Sequence, residues 1–162
     1  TGRKIKPLIT SLIKDQNMVT IKNIEENDFE ELVALFLEFA TFQNQPEKMK
    51  NSVEKMISEK DFLHGFTARD EDDRIIGYAT FFFAYYTWVG KSLYMDDLYI
   101  KEQYRGKGIG TLLINTVIKH AEKEKCDRLR WQVSEWNKPA ISFYKSLGAK
   151  IDETEKNCDI IF

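Results

Sequence analysis

Residues 92–100 read S-L-Y-M-D-D-L-Y-I, residues 104–110 read Y-R-G-K-G-I-G, and residues 111–123 read T-L-L-I-N-T-V-I-K-H-A-E-K. In that order they spell a strand, a glycine-rich turn and a helix. Glycines at 106, 108 and 110 let the backbone turn tightly and bring its N–H groups close to a ligand, because no Cβ intervenes. The unpaired N–H groups and the dipole at a helix start favour negative charge. The stretch therefore predicts a site for a phosphate-bearing ligand at the head of a helix beginning near Gly108.

Working outward, residues 19–24 (V-T-I-K-N-I) alternate as a half-buried strand does. Asn27 and Asp28 offer an N-cap to a helix whose apolar stripe is Leu32, Leu35, Phe36 and Phe39, ending before Pro46. A second helix is expected from Pro46 to about Lys60. Residues 62–68 read as a strand and 70–73 as a polar turn. The near-continuous apolar run I-I-G-Y-A-T-F-F-F-A-Y-Y at 75–86 predicts a central strand buried on both faces. Past the loop, Ile109, Leu112, Leu113, Thr116, Val117, His120 and Ala121 form one helical stripe. A strand at 128–134 follows, then a short helix opened by Asn137 with Pro139 in its first turn and stopped at Gly148. Two short strands, 149–152 and 158–162, are expected to complete the sheet. This order gives an α+β fold: a mixed, mostly antiparallel sheet with helices on both faces.

The 162 residues suit one domain, assigned to 18–162, with 1–17 as an N-terminal extension or cloning remnant carrying no signal pattern. A net charge of −2 gives no global attraction to nucleic acid or an acidic membrane, and no apolar run approaches the ~20 residues of a membrane span. Cys126 and Cys158 make no disulfide scaffold and read as reduced thiols in a cytoplasmic protein. His64 and His120 give no basis for a zinc site, so no metal is expected.

The glycines fail the Walker pattern, because Gly108 follows Lys107 rather than preceding a Lys-Ser/Thr pair. They also fail the dinucleotide pattern, whose third glycine would fall on Thr111. Arg105-Gly106-Lys107-Gly108-Ile109-Gly110 matches Gln/Arg-x-x-Gly-x-Gly/Ala and so resembles the acyl-CoA loop of the GNAT superfamily of N-acetyltransferases. The runs T-W-V-G at 87–90, S-E-W-N-K-P-A at 134–140 and S-F-Y-K-S-L-G-A at 142–149 extend the similarity to the diamine acetyltransferase branch. Residues 75–162 carry the resemblance closely, and 19–68 by pattern.

The resemblance implies acetyl-CoA as co-substrate. Its pyrophosphate would lie on the N–H groups of Arg105, Gly106, Lys107, Gly108, Ile109 and Gly110, a nest-like anion site. The pantetheine arm would follow the main chain of Leu98 and Ile100, and Asn137 would touch the cofactor while capping its helix. Tyr144 would be the general acid that protonates the departing thiolate. Asp96 stands where polyamine-acetylating members carry a glutamate and is the expected base, directly or through water. Asp97 and Glu135 are the expected contacts to a cationic substrate. Neighbours on a regular strand point to opposite faces, so Asp96 and Asp97 share a pocket only if a bulge intervenes.

In the polyamine-specific members that the chain resembles, an acidic residue stands two places before the tryptophan; here that position is Tyr86. Diamines, lysine analogues and other small primary amines therefore stay open. No cysteine is placed as an acyl carrier, so direct transfer is expected. The resemblance also implies a homodimer. Acetylation of protein lysines or N-termini, or a non-catalytic acyl-CoA-binding module, are the competing readings.

Overall fold

A computed structural model of the protein describes residues 19–154 and 158–161. The extension assigned to 1–17 lies outside the described residues. Contacts divide the chain into two units, one ending at Trp131 and the other beginning at Gln132.

The first unit holds β1 (Thr20–Asn23), α1 (Phe29–Phe42), α2 (Val53–Ser58), β2 (His64–Arg69), β3 (Ile75–Tyr86), β4 (Gly90–Ile100), α3 (Ile109–Lys123) and β5 (Arg128–Arg130). The strands form one sheet in the order β1-β2-β3-β4-β5. The first three pairings are antiparallel, and β5 joins β4 in parallel. The apolar run at 75–86 is indeed central, but only its first seven residues are buried. Phe82, Phe83 and Tyr85 emerge beyond the cover of the helices.

Phe29, Leu32 and Leu35 of α1 pack with Tyr78 and Tyr99 on one face of the sheet. Each such buried side chain contributes about 1.5–3 kcal/mol relative to exposure. On the other face, the His120 ring of α3 lies 5.0 Å from Phe81 and 5.6 Å from Phe66. Within α3 the buried set is Ile109, Leu113, Ile114, Val117 and Ala121, so Ile114 replaces the expected Leu112, which is 37% exposed.

Two local expectations are corrected. Asp28 begins α1 without capping it through its side chain. Its carboxylate instead accepts the Glu25 N–H and pairs with the buried Arg69 guanidinium. The single helix expected over 46–60 is a 3-10 turn at Pro46–Lys48 followed by α2. Ser52 causes the break: its Oγ accepts the Lys55 N–H at 3.2 Å and starts a new helix.

In the second unit, α4 (Lys138–Ser146) is capped by Asn137, whose Oδ1 accepts the Ala140 N–H at 3.2 Å. At its other end the Ala149 N–H reaches the Tyr144 carbonyl and the Gly148 N–H the Lys145 carbonyl, the Schellman pattern. The strands expected at 149–152 and 158–162 are absent among the described residues, Phe162 lying outside them. Asp152 turns its carboxylate onto the Thr154 N–H and hydroxyl, at 2.9 and 2.6 Å, a local arrangement that competes with pairing. Ile160 and Ile161 are 85% and 93% exposed. The strand expected at 128–134 stops at Arg130.

Candidate active site

The site is built on β4. Across the β3–β4 ladder Thr80 opposes Asp97 and Phe81 opposes Met95, which leaves Asp96 as an extra residue on β4. That bulge rotates the chain by one position, so the adjacent carboxylates of Asp96 and Asp97 line the same cavity. The cavity measures about 400 Å³. Its opposite wall comes from α1 and the interrupted stretch after it, including Phe36, Phe39, Gln43, Lys48 and Asn51.

The two carboxylates differ. Asp96 is the more exposed, and withdrawal of its carboxyl from water still raises its pKa above the usual range. Asp97 is half-buried. Burial first, and then the charge of Asp96, push it up to about 7, while a hydrogen bond from Tyr78 works in the opposite direction. The Tyr78 hydroxyl donates to Asp97 Oδ2 at 3.3 Å. Burial, together with the two carboxylates, holds the Tyr78 phenol itself well above its ordinary value. A group poised near neutrality inside a cavity is suited to taking up and releasing a proton.

Tyr78 is the site residue that sequence reasoning missed. It sits fully buried inside an apolar run, and a buried phenol needs a hydrogen-bond partner, which was the available signal. The cavity wall supplied by Gln43, Lys48 and Asn51 was missed as well. It comes from the end of α1 and the stretch between it and α2, which was read as part of a continuous helix from Pro46.

Leaving the bulge, β4 runs to the glycine loop with an open edge. Among the described residues β5 pairs with it only along Ser92, Leu93 and Tyr94. The Lys101 N–H points into the sheet, bonded to the Ile76 carbonyl at 2.9 Å. The Ile100 carbonyl therefore points outward, and strand alternation sends the main-chain groups of Leu98 outward too. These are the positions expected to pair with an extended ligand.

At the loop, Gly106 and Gly108 take φ values of +73° and +81°, conformations that suit glycine. Gly108 starts α3 with no side-chain cap, and a Cβ added to Gly106 would meet nothing within 4 Å. A cradle of main-chain groups is thus left clear at a helix N-terminus, and it fits a phosphate-bearing ligand. The two basic side chains of the loop lie over aromatic rings. The Arg105 guanidinium lies 4.5 Å from the Phe42 ring centre and 5.4 Å from that of Tyr99, and its Nε donates to the Ile100 carbonyl at 2.8 Å. Lys107 lies 5.5 Å from the Tyr104 ring centre and is exposed. Arg105 therefore ties the loop to β4 and α1. The Tyr99 hydroxyl extends this tie by donating to Glu38 of α1 at 2.7 Å.

In the second unit, Tyr144 is 8% exposed, with its ring centre 5.4 Å from that of Phe143. The Asn137 side chain is occupied in capping, and Glu135 is exposed. Among the described residues no helix is long and apolar enough to cross a membrane.

Comparison with known proteins agrees with this arrangement. Residues 29–149 match the family described as Acetyltransferase (GNAT) family. The thialysine N-epsilon-acetyltransferase of Mus musculus is 34% identical over 146 residues, covering 83% of this chain and 85% of that protein. Its Bos taurus counterpart is also 34% identical, over 85% and 86% of the two chains. In fold, the chain resembles an aminoglycoside acetyltransferase from an uncultured soil metagenomic sample, with a TM-score of 0.76 at 18% identity over 91% and 98% of the chains. With the glycine cradle, the open edge of β4 and these relatives together, this chain belongs to the GNAT family of acetyltransferases, in its diamine acetyltransferase branch, and is an N-acetyltransferase.

Proposed function

We propose that the enzyme transfers the acetyl group of acetyl-CoA directly to a primary amine of a small cationic molecule, a diamine, polyamine or lysine-like compound. The observation that carries this reading is the bulge that brings Asp96 and Asp97 together in one aromatic-walled cavity. A pair of carboxylates on a concave, partly apolar surface suits an alkylammonium, whose charge they attract and whose methylenes the rings cover. The names of the mammalian relatives, which act on thialysine, support the same class.

Family members use acetyl-CoA, which supplies the acetyl group as an activated thioester. The residues proposed to hold it are the main chains of Arg105, Gly106, Lys107, Gly108, Ile109 and Gly110 at its phosphates, and those of Leu98 and Ile100 along its arm. Asn137 is a further proposed contact, made by whatever its capping role leaves free.

The protein's own task is to move protons. An alkylamine of pKa ~10.4 is protonated at pH 7, and freeing its lone pair costs about 4–5 kcal/mol. Asp96 and Asp97 are proposed to bind the ammonium and to receive its proton, directly or through water. The pKa of Asp97, about 7, favours it as the acceptor, and Asp96 as the more exposed partner that keeps the cavity negative. This shifts the weight of the expected base from Asp96 towards its neighbour. Tyr144 is proposed as the general acid for the departing thiolate, on the strength of its motif. Glu135, exposed, is a secondary attraction for a cationic substrate.

We propose one catalytic domain over 18–162, from the chain's length, a cytoplasmic location, from its two unpaired cysteines, and, from the resemblance, a homodimer, which sedimentation of the purified protein would check. The deciding experiment is a thiol-release screen with acetyl-CoA against polyamines, thialysine, lysine and aminoglycosides. Release with at least one small amine is expected. No release with any of them would favour a non-catalytic acyl-CoA-binding role.

A further inference from the structure

We propose that Lys48 selects substrates that carry a carboxylate at the end remote from the reacting amine, so that the preferred amines are amino acids rather than polyamines. This inference rests on the function proposed above and adds a specificity-determining residue to it.

Among the residues lining the 400 Å³ cavity, formal charge is confined to Asp96, Asp97 and Lys48. The carboxylates enter from the bulge of β4, and Lys48 enters from the 3-10 turn Pro46–Lys48 after α1, in the other wall. The cavity is therefore bipolar. The ion pairs among the described residues commit Lys22, Lys60, Arg69 and Lys91 to carboxylates, and Lys48 is in none of them. Lys48 is an exposed residue.

A polyamine whose first ammonium sits at the aspartates brings its next one towards Lys48, where like charges repel. A lysine-like molecule brings an ammonium there as well, but the carboxylate on the same carbon offsets its charge, and Lys48 attracts that carboxylate. Asn51 lies in the same wall. Its Oδ1 accepts the Ser52 N–H, which leaves the amide NH₂ to donate to that carboxylate.

The test compares lysine with cadaverine, which has the same carbon chain and terminal amine but no carboxylate. Thiol release from acetyl-CoA gives kcat/KM for each amine with the wild-type enzyme and with Lys48→Ala and Lys48→Glu. Wild type is expected to prefer lysine. The lysine-to-cadaverine ratio should fall roughly tenfold in Lys48→Ala and further in Lys48→Glu, with the change in KM rather than kcat, because Lys48 binds the remote end of the substrate. Lys50→Ala, on an exposed side chain outside the cavity, should leave the ratio alone. Equal ratios in wild type and both Lys48 variants would overturn the inference, as would a wild-type preference for cadaverine. Acetylation of neither amine by wild type, with other small amines also inert, would instead refute the underlying function. Unchanged melting temperatures in the variants would show that the ratio reports recognition rather than folding.

Discussion

The glycine loop and the carboxylate bulge both belong to β4 and its exit, yet they were built by different means. The loop is local: its conformation is dictated by Gly106 and Gly108 at positive φ and by the helix that starts at Gly108. The bulge is relational. Asp96 becomes an extra residue only because β3 places Thr80 and Phe81 opposite Asp97 and Met95. A local device announces itself in the chain, while a register device appears only when a partner strand is in place.

The largest effect should come from breaking the local device. Gly108→Val forces a β-branched residue into φ +81°, a strain of about 1–3 kcal/mol, and fills the cradle. Calorimetric titration with acetyl-CoA should show binding lost, while circular dichroism keeps the helices. Retained affinity would mean that the loop does not hold the phosphates.

Breaking the relational device should affect chemistry while sparing cofactor binding. Asp97→Asn is expected to lower kcat/KM about a hundredfold at pH 7, the low end of what general-base catalysis contributes. Its second signature is in pH. If Asp97 accepts the proton, wild-type activity rises as pH passes about 7, and the variant loses that limb. The stability sign follows from the same shift. A carboxyl raised from 3.8 to about 7 is favourable to the folded state when protonated, so this contribution is complete below pH ~4 and lost as pH rises through 7. Asp97→Asn should therefore raise the melting temperature at pH 8 more than at pH 4. An equal change at both would show that the buried carboxyl is not the titrating group.

Legibility followed the same division. The strand-loop-helix unit, the central run of β3 and both caps of α4 were visible because each is written in a few adjacent residues. The need for a bulge at Asp96 was visible as a condition, since two neighbouring aspartates cannot otherwise share a pocket, but its presence was not. Tyr78 was hidden inside an apolar run, and the cavity wall around Lys48 was hidden by reading 46–60 as one helix. Ser52, a good capping residue in the middle of that stretch, was the overlooked signal. The strands expected after Gly148 are absent among the described residues, and Asp152, whose carboxylate turns onto Thr154, was the overlooked local signal.

A smaller effect than that of Asp97→Asn is expected from Tyr144→Phe. The change keeps the ring, so binding of acetyl-CoA should persist while turnover falls by about an order of magnitude, less than the roughly hundredfold at which a positioned acid's usual contribution begins. Turnover equal to wild type in stopped-flow thiol release would remove Tyr144 from the mechanism.

The smallest effect separates two roles within one side chain. Asn137 accepts the Ala140 N–H, so Asn137→Ala should destabilise the protein by about 1 kcal/mol, the usual value of such a cap, seen as a modest drop in melting temperature. Asn137→Ser keeps a capping oxygen and should recover most of that loss. The contact to acetyl-CoA is a separate matter, because serine has no amide group to offer and cannot reach as far. If Asn137 serves the cofactor, the KM for acetyl-CoA should rise severalfold in both variants, although only alanine lowers stability. If KM recovers with stability in the serine variant, Asn137 acts through its helix alone, and the local residues of the glycine loop suffice to hold the cofactor.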